Sequence, residues 1–88
     1  MHIEFDDEAV WVGERSSVFF RAKVDEKSVR CFVSREALDD HFKGDGARDY
    51  VPIFHQHRNE IRAAAEKMIQ AGCTSPAGEL IVATKSFP

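Results

Sequence analysis

The sequence has no long hydrophobic run. Its longest apolar stretches are residues 18–20 and 80–83, far short of the roughly 20 apolar residues that cross a bilayer as a helix. The first fourteen residues contain five acidic side chains and no Lys or Arg, the reverse of the basic start of a secretory signal. From these absences we expect a cytoplasmic protein with no membrane partner.

Cysteine is also scarce, and acidic side chains outnumber basic ones, 15 to 12. Two cysteines, Cys31 and Cys73, are too few for a disulfide scaffold, and a reducing cytosol keeps both as thiols. The net charge of −3 argues against salt-dependent wrapping of a nucleic-acid backbone, although it allows a local basic surface. At 88 residues we expect a single α+β domain over 1–88 with one modest core and no deep catalytic cavity.

Alternating side chains predict a β-hairpin in the first half of the chain. Residues 18–24 and 29–33 each place apolar side chains at every second position, which is the period of a strand. The polar residues 25–28 form the predicted turn, although they lack the glycine that tight hairpin turns favour. Pairing Val24 with Val29 places the small and branched apolar side chains on one face, as a buried side requires.

Further strands are expected at both ends of the chain. Ile3 and Phe5 alternate with polar neighbours and predict a short N-terminal strand. Residues 10–12 predict either another strand or a segment folded over the sheet. Residues 80–84 are rich in branched side chains and predict a C-terminal strand.

Two helices are expected between the hairpin and the last strand. Ser34 is a natural N-cap for a short helix that ends at Gly44. A long helix follows from about Asp49 or Pro52 to residue 71, because its apolar side chains recur at helical spacing. The intervening residues 43–49 form a flexible loop. The order of elements predicts an α+β fold, with a small antiparallel or mixed sheet backed by one short and one long helix.

The predicted core gathers the inward side chains of these elements. Cys31 belongs to the inner face of its strand, where burial makes a thiol inert, whereas Cys73 lies in an exposed turn. The core residues we expect are Phe5, Val18, Phe20, Val24, Val29, Val33, Leu38, Phe42, Phe54, Ile61, Met68 and Val82.

Several stretches spread along the chain occur together in a known family. They are Ile3-Glu4-Phe5, Trp11 ahead of a strand, residues 31–38 leading to Asp40-His41-Phe42, and Phe54, His57-Arg58 and Ile61 on the long helix. With these stretches the chain resembles, over nearly its whole length, a small bacterial family catalogued as domain of unknown function 1488. That family has no assigned activity, so the resemblance implies the fold and transfers no site residue.

Patterns typical of catalysis or metal binding are weak. His55 and His57 lie two apart, which on a helix separates their directions by roughly 200°, so they do not meet at one ion. His41 and His57 are expected at the core edge, and a site with Cys31 lacks a fourth ligand and the usual spacing. Ser34 is explained as a helix cap. We expect no catalytic, cofactor-binding or metal-binding residue, and no enzyme.

Five side chains on the side of the hairpin away from the core form a candidate interaction patch. Phe19 and Phe32 are diagonal neighbours in the predicted register, with Arg21, Lys23 and Arg30 around them. In that register Arg30 directly opposes Lys23, and such a like-charge pair invites an acid or an anion.

Three states of this patch are compatible with the sequence. In the favoured one the acidic N-terminal segment folds across it, with Trp11 on the phenylalanines and Glu8 or Glu14 paired with the cations. In the second the patch binds protein. In the third it stacks and neutralises single-stranded nucleic acid, which the acidic net charge disfavours.

The function we expect is that of a non-enzymatic interaction module, either a homodimer or an adaptor for another protein. Apolar side chains remain on both faces of the hairpin, and no catalytic pattern is strong. The second hypothesis is a nucleic-acid-binding accessory protein that uses the outer hairpin face. The third is a small hydrolase or metal-dependent enzyme.

Overall fold

A four-stranded mixed sheet carries three helices on one face, which confirms the α+β class. The computed structural model describes residues 1–42 and 49–87. Most of the predicted loop 43–49 therefore lies outside the described residues. The elements are β1 (Ile3–Val12), β2 (Ser17–Val24), β3 (Lys27–Ser34), α1 (Arg35–Phe42), α2 (Val51–Gln56), α3 (Arg58–Gln70) and β4 (Glu79–Val82), with short 3-10 turns at Gly13–Arg15 and Thr84–Ser86.

The strands lie in the order β1-β2-β3-β4. The first three are antiparallel neighbours, whereas β4 runs parallel to β3, a geometry that needs a long crossover, supplied here by the helices. β1 includes residues 10–12, so these form a strand. Between Phe5, which pairs with Ala22, and Ala9, which pairs with Phe20, β1 carries a bulge.

The hairpin of β2 and β3 is tighter than predicted. Val24 pairs with Lys27 and not with Val29, so the predicted register is wrong by two residues. Asp25 and Glu26 both have positive φ, at 48° and 74°, which makes a two-residue turn of the primed kind whose twist suits a hairpin. Because the shift is even, every hairpin side chain keeps its predicted face.

Local side chains and one glycine define the helix ends. The backbone N–H of Ala37 donates to Ser34 Oγ at 3.1 Å, so Ser34 caps α1 as expected. Asp49 Oδ1 accepts from the N–H of Val51 at 3.0 Å, at the start of α2. After α3, Gly72 adopts φ 77°, the left-handed conformation that glycine adopts without steric cost.

The predicted long helix is divided in two. His57 has φ −116° and ψ 19°, outside the helical region, and separates α2 from α3. Its ring stacks on Phe42 of α1 with centroids 4.5 Å apart. The break leaves the apolar stripe intact, because Phe54 and Ile61 on either side are both buried.

The core lies between the helices and one face of the sheet, which we call the inner face. Nine of the twelve predicted core residues are buried, and Phe5, Val24 and Met68 are partly buried against them. Cys31 is buried, as its place on the inner face of β3 predicted. The list of expected core residues omitted further buried side chains of this core, namely Ala22, Ala37, Ala64, Ala65, Ile69 and Leu80. Among the described residues no helix has the length and apolarity to cross a membrane.

Candidate interaction surface

The face of the sheet opposite the helices, the outer face, carries a row of apolar side chains that crosses all four strands. Val10 of β1 pairs with Phe19 of β2, Phe19 with Phe32 of β3, and Phe32 with Ile81 of β4. Residues paired directly across strands share a face. These four residues, the apolar row, therefore form a continuous stripe about 14 Å long, three strand spacings.

The apolar row is open at its ends and partly covered at its centre. Val10 is 52% exposed and Ile81 is 46% exposed, whereas Phe32 is only 6% exposed. The rings of Phe19 and Phe32 touch, with centroids 5.5 Å apart and tilted by 50°. Phe19 and Phe32 are thus direct neighbours and not the diagonal neighbours of the predicted register.

Arg15 covers Phe32. Its guanidinium lies 3.7 Å from the ring centroid, a cation–π contact, and its Nη1 donates to both carboxylate oxygens of Glu79 at 3.2 and 3.3 Å. Ser16, at φ 47°, turns the chain, and Ser17 Oγ donates to the carbonyl of Arg15 at 2.9 Å. The short turn after β1 therefore fixes the arginine over the outer face.

The predicted cations all lie on the outer face, in a different pairing. Arg21 directly opposes Arg30, and Lys23 opposes Ser28, so the predicted Lys23–Arg30 pair is wrong because of the register shift. Arg30 Nη2 lies 3.4 Å from Glu79 Oε2 and donates to the carbonyl of Ala77 at 3.2 Å. Within the described part of the chain, Arg21 has no carboxylate at ion-pair distance.

The predicted cover by the N-terminal segment is wrong. Trp11 pairs with the buried Val18 and therefore lies on the inner side of β1, where it stacks on Tyr50 with centroids 5.2 Å apart. It remains 36% exposed. In residues 1–42 and 49–87, neither Glu8 nor Glu14 forms an ion pair with the patch cations. Arg15 covers the ring of Phe32 in place of Trp11. Glu79 pairs with Arg30 in place of Glu8 or Glu14.

The prediction included the centre of the surface and missed its ends. Phe19, Arg21, Lys23, Arg30 and Phe32 come together on the outer face as expected. Val10 and Ile81 were missed because their contribution depends on which strands are neighbours. The one signal in the sequence concerned Ile81, whose parity is opposite to that of its buried neighbours Leu80 and Val82.

The histidines do not converge on one site. His41 Nε2 lies 2.9 Å from the carbonyl of Thr84, and its ring packs against Phe87. His57 stacks on Phe42, and His55 is exposed. No group of three or more His, Cys, Asp or Glu side chains suited to a metal ion occurs in the described ranges.

The two cysteines differ sharply in environment. Cys31 is completely buried, and its burial raises the pKa of the thiol to about 12. A thiol with such a pKa stays protonated at neutral pH and is a poor nucleophile. Cys73 is exposed in the turn after α3.

Two surface depressions of about 240 Å³ each gather charged side chains. The first lies between α3 and the C-terminal turn and includes Glu60 and Lys67, but Glu60 is directed to His57 at 3.7 Å. The second includes Arg15 and Arg35, and Arg15 is already engaged by Glu79. Neither sets a nucleophile beside a general base among the described contacts.

These features define a small α+β protein with a mixed four-stranded sheet, helices on the inner face and an apolar row on the outer face. The model of the family described as "Protein of unknown function (DUF1488)" matches residues 3–82. The chain belongs to the DUF1488 family.

Relatives and a solved structure agree with this assignment. The chain is 34% identical over 68 residues to "Uncharacterized protein YrdB" of Escherichia coli K12, covering 77% of this chain and 80% of that protein. It is 32% identical to the protein of the same name in Shigella flexneri, with the same coverage. A crystal structure of a DUF1488 protein of unknown function from Shewanella loihica PV-4 superposes with a TM-score of 0.81 at 23% identity, covering 91% of this chain and 90% of that one. That likeness shows the fold alone.

Proposed function

We propose that this protein is a non-enzymatic interaction module that binds another protein through its outer face. The observation that carries the proposal is the apolar row, which crosses every strand on the side that the helices leave open. Its exposed apolar surface lies at the two ends, Val10 and Ile81, and exposed apolar patches beside polar side chains mark interaction sites. The two free thiols favour a reducing compartment, and we place the protein in the cytoplasm.

The arrangement of the row supports a binding role over a purely structural one. Its central member, Phe32, is already sealed by Arg15, whereas its two ends expose about half of each side chain. An interface of this kind has a packed aromatic centre and apolar contacts around it, with cations at the rim.

The two other hypotheses have less support. Nucleic-acid binding needs aromatic faces free for base stacking, and the face of Phe32 is occupied by Arg15 at 3.7 Å. For an enzyme, the surface depressions hold charged groups but lack an activated nucleophile or a metal cluster in the described part of the chain. The family supplies no activity for either.

The proposal is tested with a Val10→Ser/Ile81→Ser double variant, which removes the two exposed ends of the row. An Ala63→Ser/Ala71→Ser variant, altered at exposed positions on the helical side, is the matched control. We expect affinity capture from the native cell, quantified by mass spectrometry, to recover a protein with wild type and control and to lose it with the row variant.

Two results would contradict the proposal. One is capture of the same proteins in equal amounts by the row variant, since the outer face then contributes nothing. The other is turnover above background in a broad substrate screen of purified protein, which would replace the interaction module with an enzyme.

A further inference from the structure

The outer face differs in charge from the rest of the chain. On β2, β3 and β4, together with Arg15, its charged side chains are four cations and one carboxylate, and β1 adds the carboxylate of Glu4 across from Lys23; the others are Arg15, Arg21, Arg30 and Glu79. The whole chain carries a net charge of −3. The apolar row therefore lies beside a concentration of positive charge on an otherwise acidic protein.

Most of this positive charge is already compensated, but one part is not. Arg15 and Arg30 share the carboxylate of Glu79, and Lys23 lies across from Glu4. Arg21 is exposed, directly opposes Arg30 and has no carboxylate at ion-pair distance in the described residues. Like charges placed directly across strands destabilise one another, so a carboxylate arriving here would relieve repulsion as well as form a new pair.

Arg21 and Arg30 lie next to the apolar row. Arg21 and Arg30 lie two residues along their strands from Phe19 and Phe32, which places them on the same face about 7 Å to one side of the row. A segment that covers the row therefore passes beside both guanidinium groups. Arg is well suited to hold a carboxylate in such a position, because its planar group donates two parallel hydrogen bonds.

We infer that the partner is an acidic amphipathic protein segment, whose apolar side chains cover the apolar row and whose carboxylates pair with Arg21. This inference rests on the proposed function and specifies its ligand. A second copy of this chain placed face to face brings a second set of the same cations into the interface, and like charges there are unfavourable. A nucleic acid supplies phosphates but no aliphatic surface for Val10 and Ile81.

The probe is a library of random 15-residue peptides displayed on phage and selected on the immobilised protein. Counter-selection on the Val10→Ser/Ile81→Ser variant removes peptides whose binding does not depend on the apolar row. Selected peptides are synthesised and titrated against wild type, Arg21→Glu and Arg58→Glu. Arg58 is exposed on the opposite, helical side, so the two charge reversals have the same net charge and differ only in position.

We expect the recovered peptides to combine Asp or Glu with branched or aromatic apolar residues. Their affinity should fall about tenfold or more with Arg21→Glu, stay near that of wild type with Arg58→Glu, and weaken as salt is added. Circular dichroism should show both variants folded, because Arg21 has no ion pair among the described residues.

The failures of the two proposals differ in this experiment. Row-dependent peptides without acidic residues, or peptides that bind Arg21→Glu as tightly as wild type, would overturn the acidic partner and leave the interaction module. A concentration-dependent dimer in light scattering, lost with Val10→Ser/Ile81→Ser, would overturn it in favour of a second copy. Recovery of no peptide above the counter-selected background would overturn both.

Discussion

The two faces of the sheet are built from the same strands but are closed by different means. On the inner face Phe20 and Cys31 are completely buried beneath three helices. On the outer face Phe19 and Phe32 occupy neighbouring positions on the same two strands. Phe32 is covered by Arg15 from a short turn, and the guanidinium of Arg21 lies 5.8 Å from the ring centroid of Phe19. Side-chain alternation alone does not distinguish these two situations.

The two faces contribute differently to the stability of the fold. Each fully buried large apolar side chain contributes about 1.5–3 kcal/mol to folding, so the inner face accounts for most of the stability. The outer face leaves apolar surface of Val10 and Ile81 in water, at a free-energy cost that the partner we propose would remove on binding.

The thiols should show the largest contrast. Cys31 on the inner face reacts only when the core opens, so its labelling is slowed in proportion to the free energy of opening. With a stability of about 5 kcal/mol or more, that is a factor of roughly 1,000 or greater relative to exposed Cys73. Labelling of Cys31→Ala and Cys73→Ser with a disulfide reagent measures the two rates separately. Rapid modification of Cys31 in the native protein, or a disulfide joining the two residues, would overturn the placement.

The raised pKa of Cys31 makes the free energy of unfolding depend on pH in the alkaline range. Its folded pKa of about 12 lies above the ordinary value of 9.0, so the neutral thiol is favoured by folding. Its contribution to stability is complete below pH 9 and is lost as the pH rises through 12. Cys31→Ala should remove this part of the alkaline loss of stability.

Truncation of neighbouring phenylalanines on opposite faces should differ by several-fold. Phe20→Ala leaves a cavity beneath the helices and should cost about 3–5 kcal/mol of unfolding free energy. Ile61→Ala should cost about 3 kcal/mol. Phe19→Ala removes a half-buried ring and should cost about 1–2 kcal/mol. Urea denaturation midpoints measure both. Equal costs would mean that the outer face is as well packed as the core.

Loss of the arginine cover should have a smaller effect. Arg15→Ala removes a cation–π contact and a partly exposed ion pair, which together contribute about 1 kcal/mol. It also uncovers Phe32, so binding of a hydrophobic dye should increase while the fold is retained. Arg35→Ala, at an exposed neighbouring position, is the control. An unchanged dye signal in Arg15→Ala would show that the guanidinium does not seal the ring.

The sequence predicts the inner face well because burial imposes a strict pattern. Alternation in β2 and β3 identified Val18, Phe20 and Val33, and the helical spacing identified Phe54 and Ile61. The break at His57 was not predictable, because the apolar stripe continues through it and only tertiary contact with Phe42 reveals it.

The outer face was less predictable, because its residues come from four strands and only the order of those strands in the sheet brings them together. Val10 and Ile81 belong to the two edge strands, which local patterns do not place beside the hairpin. Arg15 lies in a turn whose direction depends on the left-handed conformation of Ser16. The hairpin register was wrong because the sequence lacks the glycine that marks a two-residue turn.

Substitution in the hairpin turn at residues 25 and 26 should change stability least. Glu26 has φ 74°, a conformation that costs a residue with a β-carbon roughly 1 kcal/mol more than glycine. Glu26→Gly should therefore stabilise the hairpin by up to about 0.5 kcal/mol, after allowing for the greater entropy of glycine in the unfolded chain. Asp25 is left unchanged because its Oδ1 accepts the N–H of His2 at 2.8 Å. Lys27→Gly, one residue later in β3, should instead destabilise by about 0.5–1 kcal/mol. If thermal denaturation showed both substitutions lowering the midpoint, the turn would not occupy residues 25 and 26, and the pairing of Arg21 with Arg30 would have to be reassigned.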